Sequence, residues 1–127
     1  KENSAPLVGA HLEWLWRYIM ALTRDFKDTV VEQCKDPEFR VALLLEAIET
    51  YLEGDIEVGS SMLRDYLNAT QSFAGIADRM QIHEASLRRM VSANGNPTAK
   101  NLLMLFKLCF EQEGITPSIQ PAGNVAA

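Results

Sequence analysis

Apolar residues recur along this chain at helical spacing, and the polar residues between them carry signals that start and stop helices. Leu22, Phe26, Val30 and Cys34 return every four positions. Asp36-Pro37-Glu38 then predicts a helix start, because Asp36 can cap free N–H groups and Pro37 fits the first turn, where its missing N–H costs nothing. Phe39, Leu43, Ala47 and Tyr51 form the stripe of this second helix, widened by Leu44, Ile48 and Leu52. Gly54 supplies a left-handed residue to end it, and Asp55 caps the next. In that third segment Ile56, Gly59, Leu63, Tyr66, Leu67 and Thr70 share a face. Ser72 is placed to cap a short helix from Phe73 to Met80. Asn94-Gly95-Asn96-Pro97 reads as a loop. Thr98 opens a last helix with Leu102, Leu105, Phe106 and Cys109 on one side, widened by Leu103 and Phe110. Sustained period-two alternation, the mark of a strand, is missing. The expected fold is all-α: a compact multi-helix bundle.

One segment breaks the helical phase. In GIADRMQIHEASLRRMV, Gly75 to Val91, the apolar positions Ile76, Ala77 and Met80 belong to one phase and Leu87 and Met90 to another. Two short helices joined by a tight turn at about a right angle produce such a shift, which makes residues 72–92 a candidate helix-turn-helix. Ile76, Ala77 and Met80 then point inward, small Ala77 permits a close crossing, and Ile82 fills the space under the turn. Leu87 and Met90 anchor the second helix. His83, Glu84, Ala85, Ser86, Arg88, Arg89 and Ser92 are left outside. The major groove of DNA admits a helix carrying such side chains.

Charge adds a division of labour. The chain carries a net −5, which argues against indiscriminate binding to nucleic acid or anionic membrane. Residues 20–75 hold 5 Lys/Arg and 11 Asp/Glu, a net of −6, whereas residues 76–107 hold 5 Lys/Arg and 2 Asp/Glu, a net of +3. The asymmetry predicts two working surfaces. Arg88 shares a face with Glu84 and Ala85 and is the first choice for a base contact, since Arg reads guanine O6 and N7 bidentately. Arg89 is assigned to phosphate or to an acid within the domain. Two roles fit Glu84: charge at the positive start of its helix, which is favoured, or acceptance of a hydrogen bond from cytosine N4. His83 takes an N-cap position. Asn94, Asn96 and Lys100 follow the second helix and are candidates for the sugar-phosphate backbone. The acids Glu46, Glu49, Glu53, Asp55 and Glu57 read as a solvated face.

Cys34 and Cys109 have no CxxC partner and read as buried free thiols of a cytoplasmic protein. His11 and His83 have no ligand spacing, and neither a catalytic constellation nor a Gly-rich phosphate loop is present, so the chain is not expected to be an enzyme or to hold a metal or cofactor. Its apolar runs fall short of the roughly 18–20 residues of a membrane span. Residues 1–19, with Leu12, Leu15, Trp16 and Ile19 at helical spacing, are expected to form an amphipathic N-terminal helical arm, native or added, with Met20 an alternative start. Residues 20–115 are expected to form one helical domain, with the candidate DNA-binding helix-turn-helix at 72–92, and 116–127 a flexible tail.

The segment IADRMQIHEASLRRM, Ile76 to Met90, resembles the helix-turn-helix of the phage-repressor-like Xre/Cro family. More closely, ALTRDFKDTV from Ala21, DPEF from Asp36, LRDYLNAT from Leu63, SLRRM from Ser86 and GNPTAKNL from Gly95 together resemble a bacterial group of addiction-module antidote, or HigA-like antitoxin, proteins. The resemblance covers roughly residues 20–115. It implies a repressor of double-stranded operator DNA, usually a homodimer, often encoded beside a RelE/HigB-type ribonuclease toxin. Two positions depart from the pattern. Gln81 stands where the turn commonly has Gly, which requires a left-handed Gln or an altered turn. Phe73 stands where a polar phosphate contact is common, which shifts that role to the Ser72 hydroxyl or to backbone N–H groups of the helix start. The expected function is a sequence-specific transcriptional regulator, the antitoxin and autorepressor of a toxin-antitoxin module, with the acidic half facing the toxin. The alternative is a protein-interaction module that neutralises a toxin without specific DNA binding.

Overall fold

A computed structural model describes residues 26–123. The described residues form six helices and no strand: α1 (Phe26–Gln33), α2 (Pro37–Leu52), α3 (Ile56–Ala69), α4 (Phe73–Met80), α5 (Glu84–Met90) and α6 (Ala99–Gln112). The arm expected over residues 1–19 lies outside them, as do Leu22 and residues 124–127.

Most helix ends have a local chemical cause. Asp36 accepts the Glu38 N–H at 2.9 Å, and Pro37 opens α2. Gly54 ends the same helix at φ +92°, and the chain behind it folds back as Gly54 and Asp55 donate to the Tyr51 and Thr50 carbonyls at 2.9 and 3.1 Å. Asp55 then accepts the Val58 N–H at 3.3 Å, and Thr98 accepts the Asn101 N–H at 3.1 Å to start α6. Ser72 departs from this pattern. It precedes α4 but makes no side-chain cap bond.

The core is drawn from all six helices. α2 and α3 pair most extensively. They bury Leu43, Leu44 and Ala47 against Met62, Leu63, Tyr66 and Leu67. Val30 and Cys34 close one edge, and Phe73, Ile76, Ala77, Leu87, Leu105, Phe106, Cys109 and Phe110 complete the interior. Burying each large apolar side chain favours folding by about 1.5–3 kcal/mol. Gly59 lets α2 and α3 approach: a Cβ there would stand 2.9 Å from the Tyr51 ring. The same ring meets Phe106 edge-on at 5.7 Å, so Tyr51 joins α2, α3 and α6.

Three stripe positions are corrected. Leu52, Ile56 and Leu103 are 67%, 50% and 63% exposed, because the apolar arcs of their helices are wider than the surface their neighbours cover. The expectation for both cysteines is met. They are buried and unpaired, and burial pushes the Cys34 thiol up to about 11 and the Cys109 thiol up to about 12.

A polar network crosses this apolar interior. The Glu113 side chain, only 5% exposed, receives Arg40 Nε on both oxygens at 3.0 Å and the Tyr66 hydroxyl at 2.6 Å. Arg40 also donates to the Cys34 carbonyl at 2.9 Å. Gln112 Nε2 donates to Tyr66 Oη and Ser72 Oγ, each at 2.9 Å. Burial, and next the hydrogen bond to Glu113, hold the Tyr66 phenol above its ordinary range. The network fastens the end of α6 to α2, to α3 and to the entrance of α4.

Candidate nucleic-acid interface

α4 and α5 are joined by Gln81, Ile82 and His83. Gln81 is left-handed, at φ +60° and ψ +43°, a conformation uncommon for residues other than Gly. Its N–H reaches the Asp78 carbonyl at 3.0 Å, and that of Ile82 reaches Ala77 at 3.1 Å. Ile82 is half-buried against the core. His83 is extended, and its carbonyl accepts the Ser86 and Leu87 N–H groups at 2.9 and 3.2 Å to begin α5. Its imidazole is exposed and makes no capping bond.

The inner side of α5 is held at several points. Leu87 and Val91 are fully buried, and Met90 packs against the same core. Arg64 of α3 donates to the Val91 carbonyl at 2.6 Å, satisfying an acceptor at the end of α5. The chain then folds back across this end. A Cβ at Gly95 would stand 2.3 Å from the Met90 carbonyl oxygen, so only Gly permits this path.

His83, Glu84, Ala85, Arg88, Arg89, Asn94, Asn96 and Lys100 are exposed, and Ser86 and Ser92 are half-buried. Ser92 Oγ donates to the Arg89 carbonyl at 2.8 Å. Arg88 Nε and Nη2 both donate to Glu84 Oε2, at 3.0 and 2.8 Å. The Arg88 guanidinium also lies over the Phe73 ring, 4.1 Å from its centroid, an attractive cation–π geometry. Phe73 is therefore the platform for Arg88.

Ser72 falls outside this surface. It is 6% exposed, and its hydroxyl engages Thr70 Oγ1 and Gln112. Gln71 just before it is left-handed at φ +54°, and the chain turns the Ser72 side chain inward. The hydroxyl is thus not presented to a phosphate, nor to the α4 N–H groups it was expected to cap. Phe73, Arg64 and Gln71 were not among the expected site residues. Phe73 had a sequence signal, its apolar character at the head of α4. Arg64 had none, since it acts on a carbonyl 27 positions away.

The electrostatics are leaner than the tally for residues 76–107. Glu111 bonds Lys107 at 2.6 Å and Arg79 at 2.7 Å, and these bonds hold its carboxyl below the usual range. Arg88 is paired with Glu84. Arg89 and Lys100 remain without a side-chain partner among the described residues. Those residues contain no group of three His, Cys, Asp or Glu able to hold a metal, and no helix long and apolar enough to cross a membrane. No protein family, curated protein or solved structure matches the chain.

Proposed function

We propose that this chain is a sequence-specific regulator of double-stranded DNA, with α4, the three-residue turn and α5 acting as a helix-turn-helix and α5 as its reading helix. The observation that carries this reading is the two-sidedness of α5. Leu87 is sunk in the core while Glu84, Ala85, Arg88 and Arg89 stand in solvent on the other side. These side chains suit base edges and phosphates. Lys100 adds a cation after the loop without a side-chain partner among the described residues, where a backbone phosphate would meet it. The acidic remainder keeps non-specific affinity low and so raises the specificity ratio.

A single α5 of seven residues is about 10 Å long and spans only a few base pairs. The working unit in this reading is a homodimer, whose paired reading helices lie about 34 Å apart. The antitoxin role rests on the resemblance to addiction-module antidotes, with the acids of residues 20–75 opposite a basic ribonuclease.

Selection from a random duplex pool tests the reading. The selected duplex should bind at least about 10³-fold more tightly than a scrambled one at the same salt concentration, and sedimentation should give a dimer. Equal binding to both duplexes would sink it. A second reading, a protein module that covers a toxin without specific DNA binding, is favoured by the engagement of Arg79, Lys107 and Arg88 within the chain. That reading gains if a toxin-like neighbour co-purifies while the pool yields no preferred sequence.

A further inference from the structure

Arg88 is held in a way an exposed arginine does not need for stability alone. Its Nε and Nη2 converge on one oxygen of Glu84, Oε2. Arg88 Nη1, the second Nη2 hydrogen and Glu84 Oε1 take no part in this contact. Phe73, itself 3% exposed, lies beneath the guanidinium. The ion pair favours one position of the guanidinium along the helix, above the ring. The pair borders a cleft of about 220 Å³ that also reaches Asn68 and Gln71. What remains is a donor at the far end of the guanidinium and an acceptor on the carboxylate.

We infer that Glu84 and Arg88 act as one reading unit that selects a guanine–cytosine base pair; this rests on the DNA-binding reading above. In the major groove a G·C pair presents the acceptors N7 and O6 of guanine beside the N4 amine of cytosine. Arg88 Nη1 meets guanine O6, the acceptor that adenine lacks, and Glu84 Oε1 accepts from the cytosine amine. An A·T pair presents the adenine N6 amine where Arg88 needs an acceptor and thymine O4 where Glu84 needs a donor. Like groups then face each other at both contacts. Arg88 supplies attraction for the right pair and Glu84 supplies rejection of the wrong one. The ion pair and the ring favour one arrangement of the guanidinium before binding, which lowers part of the ordering cost.

The test compares the wild-type chain with Glu84→Gln, selecting each on the same random duplex pool. Sites selected by the wild type should contain a fixed G·C pair, and replacing it with A·T should weaken binding on the order of tenfold or more. Gln offers both a donor and an acceptor. Glu84→Gln should therefore keep its affinity for the G·C site within a few-fold yet lower the discrimination to about threefold or less. The ratio is the readout because removing a negative charge strengthens binding to any duplex. A thermal melt should fall by no more than a few degrees, since only an exposed ion pair and a helix-end charge are lost. Selected sites without a fixed G·C pair would overturn the inference, as would a Glu84→Gln protein that discriminates as well as the wild type. Those results leave DNA binding standing. A pool that yields no preferred sequence at all removes the proposed function and this inference together.

Discussion

Arg40 meets Glu113 across 73 positions of sequence, and Arg88 meets Glu84 across four. The two pairs share their chemistry and differ in surroundings. Arg40 and Glu113 have side chains 24% and 5% exposed, and Tyr66 adds a third bond to the carboxylate. Arg88 and Glu84 are 52% and 43% exposed, with each side chain open to water. A buried pair is costly to break, because the survivor is left as an uncompensated charge. An exposed pair contributes little, because water replaces either partner. The same two residue types therefore fasten helices together in the buried pair. In the exposed pair they stay open to exchange with water. The difference assigns Glu113 to the fold and leaves Glu84 on the face proposed to read DNA.

The largest effect should come from the apolar footing of that surface. Leu87 is fully buried beneath α5, and Leu87→Ala should destabilise the protein by about 2–5 kcal/mol. A thermal melt within a degree or two of the wild type would mean that α5 is anchored otherwise, and the list of outward residues would fall with it. Next comes the buried pair. Glu113→Gln keeps the shape but removes the charge between Arg40 and Tyr66. It should cost about 2–3 kcal/mol, the water at Arg40 sparing part of the loss. Chemical denaturation decides, and a loss below about 0.5 kcal/mol would put Glu113 in the same class as an exposed acid.

The thiols separate interior from surface by pH. Cys34 and Cys109 stay protonated in the fold to about 11 and about 12, while an exposed thiol titrates near 9.0. The unfolded chain therefore releases these protons first. The stability they lend is complete below about pH 9 and falls as pH rises towards 11 and 12. Folded protein at pH 8 should resist an alkylating reagent until denaturant is added. Rapid labelling of either thiol would show that its cover opens easily.

Sequence made the local half of this comparison legible. Asp36 before Pro37, Gly54 before Asp55, and Thr98 are caps whose partners lie within a few residues. The left-handed Gln81 was marked by its place in the turn, and Glu84 and Arg88 stood one helical turn apart. What stayed hidden depends on distant contacts. Glu113 finds Arg40 and Tyr66 only after α6 returns to α2 and α3. Ser72 has the residue type of a cap, but the left-handed Gln71 and the distant Gln112 amide draw its hydroxyl inward. Leu103 continues a helical stripe yet lies beyond its neighbours' reach, because periodicity reports direction and not coverage.

A smaller effect is expected at the join between the two regions. Arg64 donates to the Val91 carbonyl, and Arg64→Met should cost about 1–2 kcal/mol. Amide exchange locates the damage: amides of α5 should lose protection, while those of α2 keep theirs. Uniform loss would make Arg64 an ordinary packing residue.

The smallest stability change belongs to the exposed pair, and there stability and function should part. Arg88→Ala removes an ion pair open to water and a cation–π contact on a ring that remains buried. The fold should lose no more than about 1 kcal/mol. Binding to the selected duplex should fall by about 1–3 kcal/mol, because a base contact disappears with nothing to replace it. A double-mutant cycle makes the contrast with the other pair quantitative. Coupling between Glu84 and Arg88 should be about 0.3–0.5 kcal/mol, as for other exposed pairs one helical turn apart. Coupling between Arg40 and Glu113 should exceed it several-fold. Equal couplings would mean that burial does not separate the two sites. Arg88 would then be a structural residue that happens to lie at the surface.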